Sequence, residues 1–472
     1  MSDQTTDQTI DQTEGTDAGR PRNRRRLLIV GIAVLLVAAV VAAVLTFRAI
    51  GSSAPAEAVP ATVPVGITVR GVPEDTKIGV VVTLGDGEGS EWNEAAQGAL
   101  VAERRLALGG TDITLVTKND GGTTAGAKAA VADLAESGVA GIVVASSGAH
   151  VTGALNAAAA KGVPVVLPYA PAEKDSWTTA PAAGSVSSAM TAALGDAGSP
   201  LLVDLGGGAP AGLRVAHVID GDDTSDTGSL AETIAARTGV SGAGEGADEA
   251  QDTDRKVDPD SDAVVISGSA QRQGALVAAL QAADVTVPVI LTPDATSPAF
   301  GAALVDGGGS LSGTFRTVGV ATDDARALSS DAEGRAMSAF LGGVRVLADD
   351  ADAQNLTGDR PFSAVAGAAD SRSHDAVVAL IRAVGKAQSV EPTDVTDALA
   401  TLDLDSAAGI AGPPLDFTRQ QALGARATVL SASAQQLGLR PANVAAGGSD
   451  DASGDDAAQA TSLVWFEDST AR

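Results

Sequence analysis

Apolar positions along the chain follow two regimes. From Leu27 to Phe47 the run LLIVGIAVLLVAAVVAAVLTF holds 21 residues without a charge. At about 1.5 Å per residue it spans a bilayer hydrocarbon core about 30 Å thick. Beyond it, short β-branched runs alternate with Ala-rich stretches of helical period. IGVVVTL (78–84) precedes a predicted helix over 91–108, ITLVT (113–117) one over 125–136, and GIVVA (141–145) one through 155–160, before PVVLP (164–168). Strands and helices in this order demand a parallel sheet with right-handed crossovers, and strands apolar throughout demand cover on both faces. A second set follows: LRVAHVID (213–220), a helix over 229–237, DAVVISG (262–268), a helix over 272–283 and PVILTP (288–293). Helices over 334–348, 374–386 and 392–402 and the segment AGPPLDFT (411–418) read as closing elements. The expected fold class is α/β, with two doubly wound parallel-sheet lobes joined by a hinge and preceded by one transmembrane helix.

Charge orients the apolar run. Arg20, Arg22, Arg24, Arg25 and Arg26 precede it, while Arg48 alone follows closely. This asymmetry keeps the N-terminus cytoplasmic and places the rest of the chain outside a bacterial cell membrane. A cleaved signal peptide competes with this reading, since Ala54-Pro55-Ala56 offers small residues and Arg24-Arg25-Arg26-Leu27-Leu28 is a faint twin-arginine signal. The length of the run favours an anchor, because a signal core has only about 7 to 15 apolar residues. Residues 1–26, with DQT repeated at Asp3, Asp7 and Asp11, read as a disordered tail, 48–74 as an Ala/Pro/Gly-rich linker and 446–472 as an acidic flexible tail. One lobe is expected over 75–190 plus about 314–420 and the other over 191–313 plus about 421–445.

Composition narrows the function. The 472 residues are 44% hydrophobic, enough for a large core, and the net charge of -28 is the wrong sign for nucleic acid. With no cysteine, thiolate metal sites and Cys nucleophiles are excluded, and His150, His217 and His374 are too scattered for a histidine metal centre. No metal or cofactor is expected. An enzyme needs a positioned nucleophile and base, yet no G-x-S-x-G elbow or phosphate loop stands at a strand-to-helix junction. Ser147 and His150 share a helix face but lack an oxyanion partner. The glycine triplets 206–208 and 307–309 have no following lysine and read as turns.

Several segments carry a resemblance in order. A helix containing Gly98-Ala99 ends in ALGG (107–110), Asn119-Asp120 close the second strand, VVASSGAH (143–150) is a strand followed by a serine pair, and GVPVVLPYAPA (162–172) has a GxPxxxP pattern. PVILTPDA (288–295), SRSHDAVVALIRAV (371–384) and GIAGPPLDFT (409–418) follow. Together, over about 77–440, they resemble the branched-chain amino-acid (Leu/Ile/Val) binding proteins of ABC transporters, which have the type I periplasmic-binding fold. The resemblance implies a small-molecule solute such as an amino acid, ABC permease subunits as partners, and a ligand cleft between the lobes. An anchored ligand sensor or structural module with the same fold is the alternative, since fold alone does not fix function.

Candidate ligand contacts sit at strand ends, where open parallel sheets bind. Ser146 and Ser147 end a strand and begin a helix, so hydroxyls and backbone N–H groups there suit a ligand carboxylate. An ordinary N-cap is the competing reading. Tyr169, the only tyrosine, and Ala170 fall where the resemblance puts contacts to the amino-acid head group; Pro171 replaces a threonine that binds the carboxylate in that family. Asp294 matches the acidic residue that answers a ligand ammonium group, and Trp92 an aromatic of the cleft. Thr227 and Ser267 occupy strand-end loops of the second lobe. His374, where the family usually has Tyr, is assigned to packing at a helix start.

Overall fold

The computed structural model describes residues 65–173, 175–221, 226–240, 260–310, 315–320, 324–433, 439–441 and 465–468. The expected tail 1–26, the apolar run Leu27–Phe47 and most of the linker lie outside the described residues. Among the described residues no helix is long and apolar enough to cross a membrane.

The first sheet is built as the apolar pattern demands. Strands β1 (Lys77–Val82), β2 (Thr114–Asn119), β3 (Gly141–Val144), β4 (Val165–Leu167) and β5 (Trp177–Thr178) run in the order β2-β1-β3-β4-β5 and are all parallel. Helices α1 (Gly98–Leu108), α2 (Thr124–Glu136) and α3 (Val151–Lys161) make the first crossovers. Alternate strand residues face opposite sides. Val81, Ile142 and Val144 pack with Leu134 of α2 and Leu155 of α3. Val80, Val82 and Val143 pack with Leu106 of α1 on the other side. Both faces are covered, which is why each strand is apolar on consecutive positions.

After β5 the chain passes through helix α4 (Ala183–Leu194) into a second sheet containing β6 (Pro200–Leu205), β7 (His217–Asp220), β8 (Ala263–Gly268), β9 (Val289–Leu291) and β10 (Phe315–Gly319). Helices α5 (Thr227–Arg237), α6 (Ala270–Ala282) and α7 (Pro298–Asp306) lie between these strands in sequence. Leu201, Val203, Val264 and Ile266 pack with Leu276 of α6 and Phe300 of α7, while Leu202, Val265 and Ile290 face Met190 of α4. The return leg holds α8 (Ala332–Ala348), α9 (Ser371–Ala387), α10 (Pro392–Leu399) and an antiparallel ribbon of β11 (Asp403–Leu404) and β12 (Leu415–Asp416). Helix α9 packs on α1 and β3, so this leg completes the first lobe. The chain then crosses back to β13 (Thr428–Ser433), antiparallel to β10, and β14 (Trp465–Asp468), antiparallel to β13. The second sheet reads β14-β13-β10-β9-β8-β6-β7.

Three features depart from the pattern reading. The interior strand β6, PLLVDL, carries Asp204 and runs into the triplet Gly206–Gly208, so its short apolar run resembles a loop. Asp204 in fact lies within the strand, one residue before its end, its Oδ1 accepting the N–H groups of Gly206 and Gly208 just beyond it at 2.9 Å each. Strand β10 pairs with β9 and β13, so the return to the first lobe comes after 319 and not near 314. Trp465–Asp468, expected within a flexible tail, form an edge strand.

Candidate functional site

A cavity of about 470 Å³ lies where loops from the carboxyl ends of both sheets meet, a size that suits a small molecule. From the first lobe Trp92, Tyr169 and Arg372 face it; from the second, Ser267, Thr292 and Asp294 do. The Trp92 and Tyr169 rings stack with centroids 4.3 Å apart and planes within 7°. Trp92 comes from a 3-10 turn after β1, and its Nε1 donates to Ser147 Oγ at 3.0 Å. Tyr169 follows β4, and burial pushes its phenol pKa well up. Arg372, in the first turn of α9, sets its guanidinium carbon 4.9 Å from the Trp92 ring centroid and 4.7 Å from that of Tyr169. Its Nε and Nη2 reach Asp370 Oδ2 at 2.8 and 2.7 Å. Asp370 also caps α9, accepting the backbone N–H of Arg372 at 2.9 Å.

Asp294 follows β9. Burial raises its carboxyl pKa, with partial relief from the Thr292 hydroxyl, which donates to Oδ2 at 3.3 Å. Glu91, beside Trp92 in the other lobe, is raised first by burial and further by the charge of Asp294. The lobes touch at this point: Ser297 Oγ, at the N-cap of α7, donates to the Glu91 carbonyl at 2.6 Å. Carboxylates from the two lobes thus lie close enough to interact, with Asp294 itself lining the cavity, a place that favours positive charge.

The other expected positions separate. Ser147 is engaged by Trp92, and its own hydroxyl donates toward Glu91 Oε1 at 3.4 Å. Ser146 turns inward, with no exposed surface. Its Oγ lies 2.7 Å from Thr83 Oγ1 and 3.1 Å from His150 Nε2, which is also 3.2 Å from Asp120 Oδ2. This knot ties together the ends of β1, β2 and β3. It contains Ser, His and Asp, but none of its residues lines the cavity. Ala170 is buried with its carbonyl accepting Thr178 Oγ1 at 2.6 Å. Ser267 lines the cavity, but its hydroxyl donates to the Gly208 carbonyl at 2.6 Å. Thr227 opens helix α5 after the cap Asp226, away from the cavity lining. His374 is fully buried in α9, where Nδ1 meets Asp375 Oδ1 at 2.7 Å and Nε2 meets Arg105 Nη1 at 2.9 Å.

Pattern reading missed Arg372, Asp370 and Arg440. The Arg440 guanidinium contacts Asp324 at 2.9 and 3.0 Å and the carbonyls of Gly367 and Ala369. Its neighbours come from distant parts of the chain. The pairing of Asp370 with Arg372 was visible locally, as a capping residue two positions before an arginine at a helix start.

Two doubly wound lobes with a solute-sized cavity at their facing strand ends define a type I periplasmic-binding fold. Solved structures with this architecture include LivJ, the branched-chain amino-acid transporter substrate-binding protein of Streptococcus pneumoniae, in complex with isoleucine, at 16% identity over 76% of this chain and 100% of that one, with a TM-score of 0.52. The leucine-binding protein LivK of Thermotoga maritima is similar at 16% identity over 75% and 95% of the two chains, with a TM-score of 0.52. A periplasmic substrate-binding protein of Ralstonia solanacearum matches at 15% identity over 76% and 97%, with a TM-score of 0.55. At these identities the likeness establishes the fold. No protein-family model and no curated protein matches the sequence.

Proposed function

We propose that this chain is a membrane-anchored extracytoplasmic solute-binding protein, the substrate-binding component of an ABC uptake system for an amino acid or similar small polar solute. The observation that carries this reading is the interlobe cavity, in which an aromatic stack and charged groups of both signs converge from both lobes. Hinge closure would bury a solute there and give a permease a closed form to recognise. The chemistry proposed is binding without covalent turnover. The sequence supports the anchor through the charge-free run Leu27–Phe47 and its arginine flank.

Thermal shift against amino acids, amides and short peptides tests the binding role, because a ligand that binds only the folded form raises its melting temperature by mass action. A concentration-dependent rise with one chemical class is expected; no rise with any member would favour a structural module. Fractionation of the full chain should place it in the membrane pellet, resistant to high salt and released by detergent. Release of a shortened chain into the medium would instead show a cleaved signal.

A further inference from the structure

An amino-acid solute brings a cation and an anion, and the cavity has to place both. Asp294, with Glu91 near it, supplies the negative end. The serine pair after β3 does not supply the positive one: Ser146 is enclosed in the Thr83–Asp120–His150 knot, and Ser147 is held between Trp92 and the Glu91 carboxylate. An anion placed there would meet Glu91. Pro171 brings no hydroxyl. Two arginines line the cavity among the described residues, and the Arg440 guanidinium is turned onto Asp324 and two carbonyls.

Arg372 is different. Asp370 engages Nε and Nη2 through one carboxylate oxygen, and no hydrogen bond among the described residues uses Nη1. The Trp92 and Tyr169 rings fix the position of the guanidinium, whose side chain is 17% exposed. A planar donor fork held this way, with an unused edge at a half-buried cavity wall, is matched to a carboxylate. We propose that Arg372 holds the carboxylate of the solute, opposite an ammonium group held by Asp294. The proposal rests on the solute-binding reading above and assigns the anion to α9 of the first lobe, not to the strand-end serines.

The test compares ligands within each protein, so that a general loss of packing cancels. Calorimetric affinities would be measured for each of the twenty amino acids that binds and for its carboxamide, in the full chain and in Arg372→Met. In the unaltered protein the free acid should bind about 10- to 100-fold more tightly than the amide, the range of a charge-assisted hydrogen bond. In Arg372→Met that ratio should fall toward unity, and Arg372→Lys should restore part of it. A ratio unchanged by Arg372→Met would overturn the assignment while leaving solute binding intact. So would an amide that binds the unaltered protein as well as the acid does. Absence of binding by every amino acid and amide would overturn both readings.

Discussion

Asp294 is where function and stability pull apart. Its carboxyl pKa is raised by burial above an ordinary 3.8, and that of Glu91 above 4.5. A raised carboxyl favours the protonated form in the fold, so this contribution to the stability of the empty protein is full below about pH 4 and is lost as pH rises through the raised values. Asp294→Asn removes the cost. The ligand-free variant should melt at a higher temperature than the parent at pH 7, with the difference closing toward pH 4 in thermal melts. The same substitution should weaken an amine-bearing solute by at least about 30-fold in calorimetry, as when one partner of a buried charge pair is truncated. His374 works in the opposite direction. Burial, the largest cause, lowers its pKa from 6.5, and Nε2 faces the Arg105 guanidinium, so the folded state disfavours the charged ring. Its contribution is full above about pH 6.5 and is lost as pH falls through the lowered value. Urea unfolding between pH 7 and 5 should show a smaller acid loss in His374→Gln than in the parent. The sequence put the start of this helix at His374, one turn late, since it begins at Ser371, and did not show that Arg105 and Asp375 would use both nitrogens of the ring.

At the scale of elements, helix α1 governs the site without touching the solute. Gly98 lies against the start of α9, where an added Cβ would overlap the Asp370 carbonyl and crowd Ser373 Oγ. Asp370 N and Ser373 Oγ both donate to the Ala95 carbonyl, at 3.0 and 2.9 Å, so the two helix starts are locked together. Gly98→Ala should cost about 1 to 3 kcal/mol by overpacking in chemical denaturation. It should also weaken solute binding, because it displaces the Asp370–Arg372 pair. The first sheet was legible because its strands are apolar on consecutive positions and evenly spaced by helices. Strand β6 was not: its six residues include Asp204, and only pairing with β7 and β8 makes them a strand. The serine pair shows the same limit. Both serines follow the end of β3 as expected but do not begin the helix, which starts at Val151, and which of the two points into the knot depends on Thr83 and Asp120, contributed by other strand ends.

For the whole molecule, one hydrogen bond deserves a direct test. Ser297 Oγ to the Glu91 carbonyl joins the lobes close to Asp294. Removing it should shift a hinge equilibrium toward open forms by the worth of one interlobe bond. Small-angle scattering of Ser297→Ala should give a larger radius of gyration than the parent, with saturating solute restoring the compact value. An unchanged radius in both states would show that this contact does not control closure. Two lobes were legible as two sets of alternating strands and helices, but the return point was not, because the five residues of β10 include Arg316 and Thr317 and lack a continuous apolar run. Only its pairing with β9 and β13 assigns that strand to the second lobe.

The aromatic stack also gives the cavity its own optical reporter. The chain has three tryptophans and one tyrosine; Trp177 is buried with its Nε1 donating to the Phe417 carbonyl at 2.8 Å, while Trp92 lines the cavity against Tyr169. Occupancy beside Arg372 should alter the polarity around the Trp92 indole and its quenching by the neighbouring guanidinium. Solute binding should therefore be readable as a change in intrinsic emission without a dye, and Trp92→Phe should remove most of that signal.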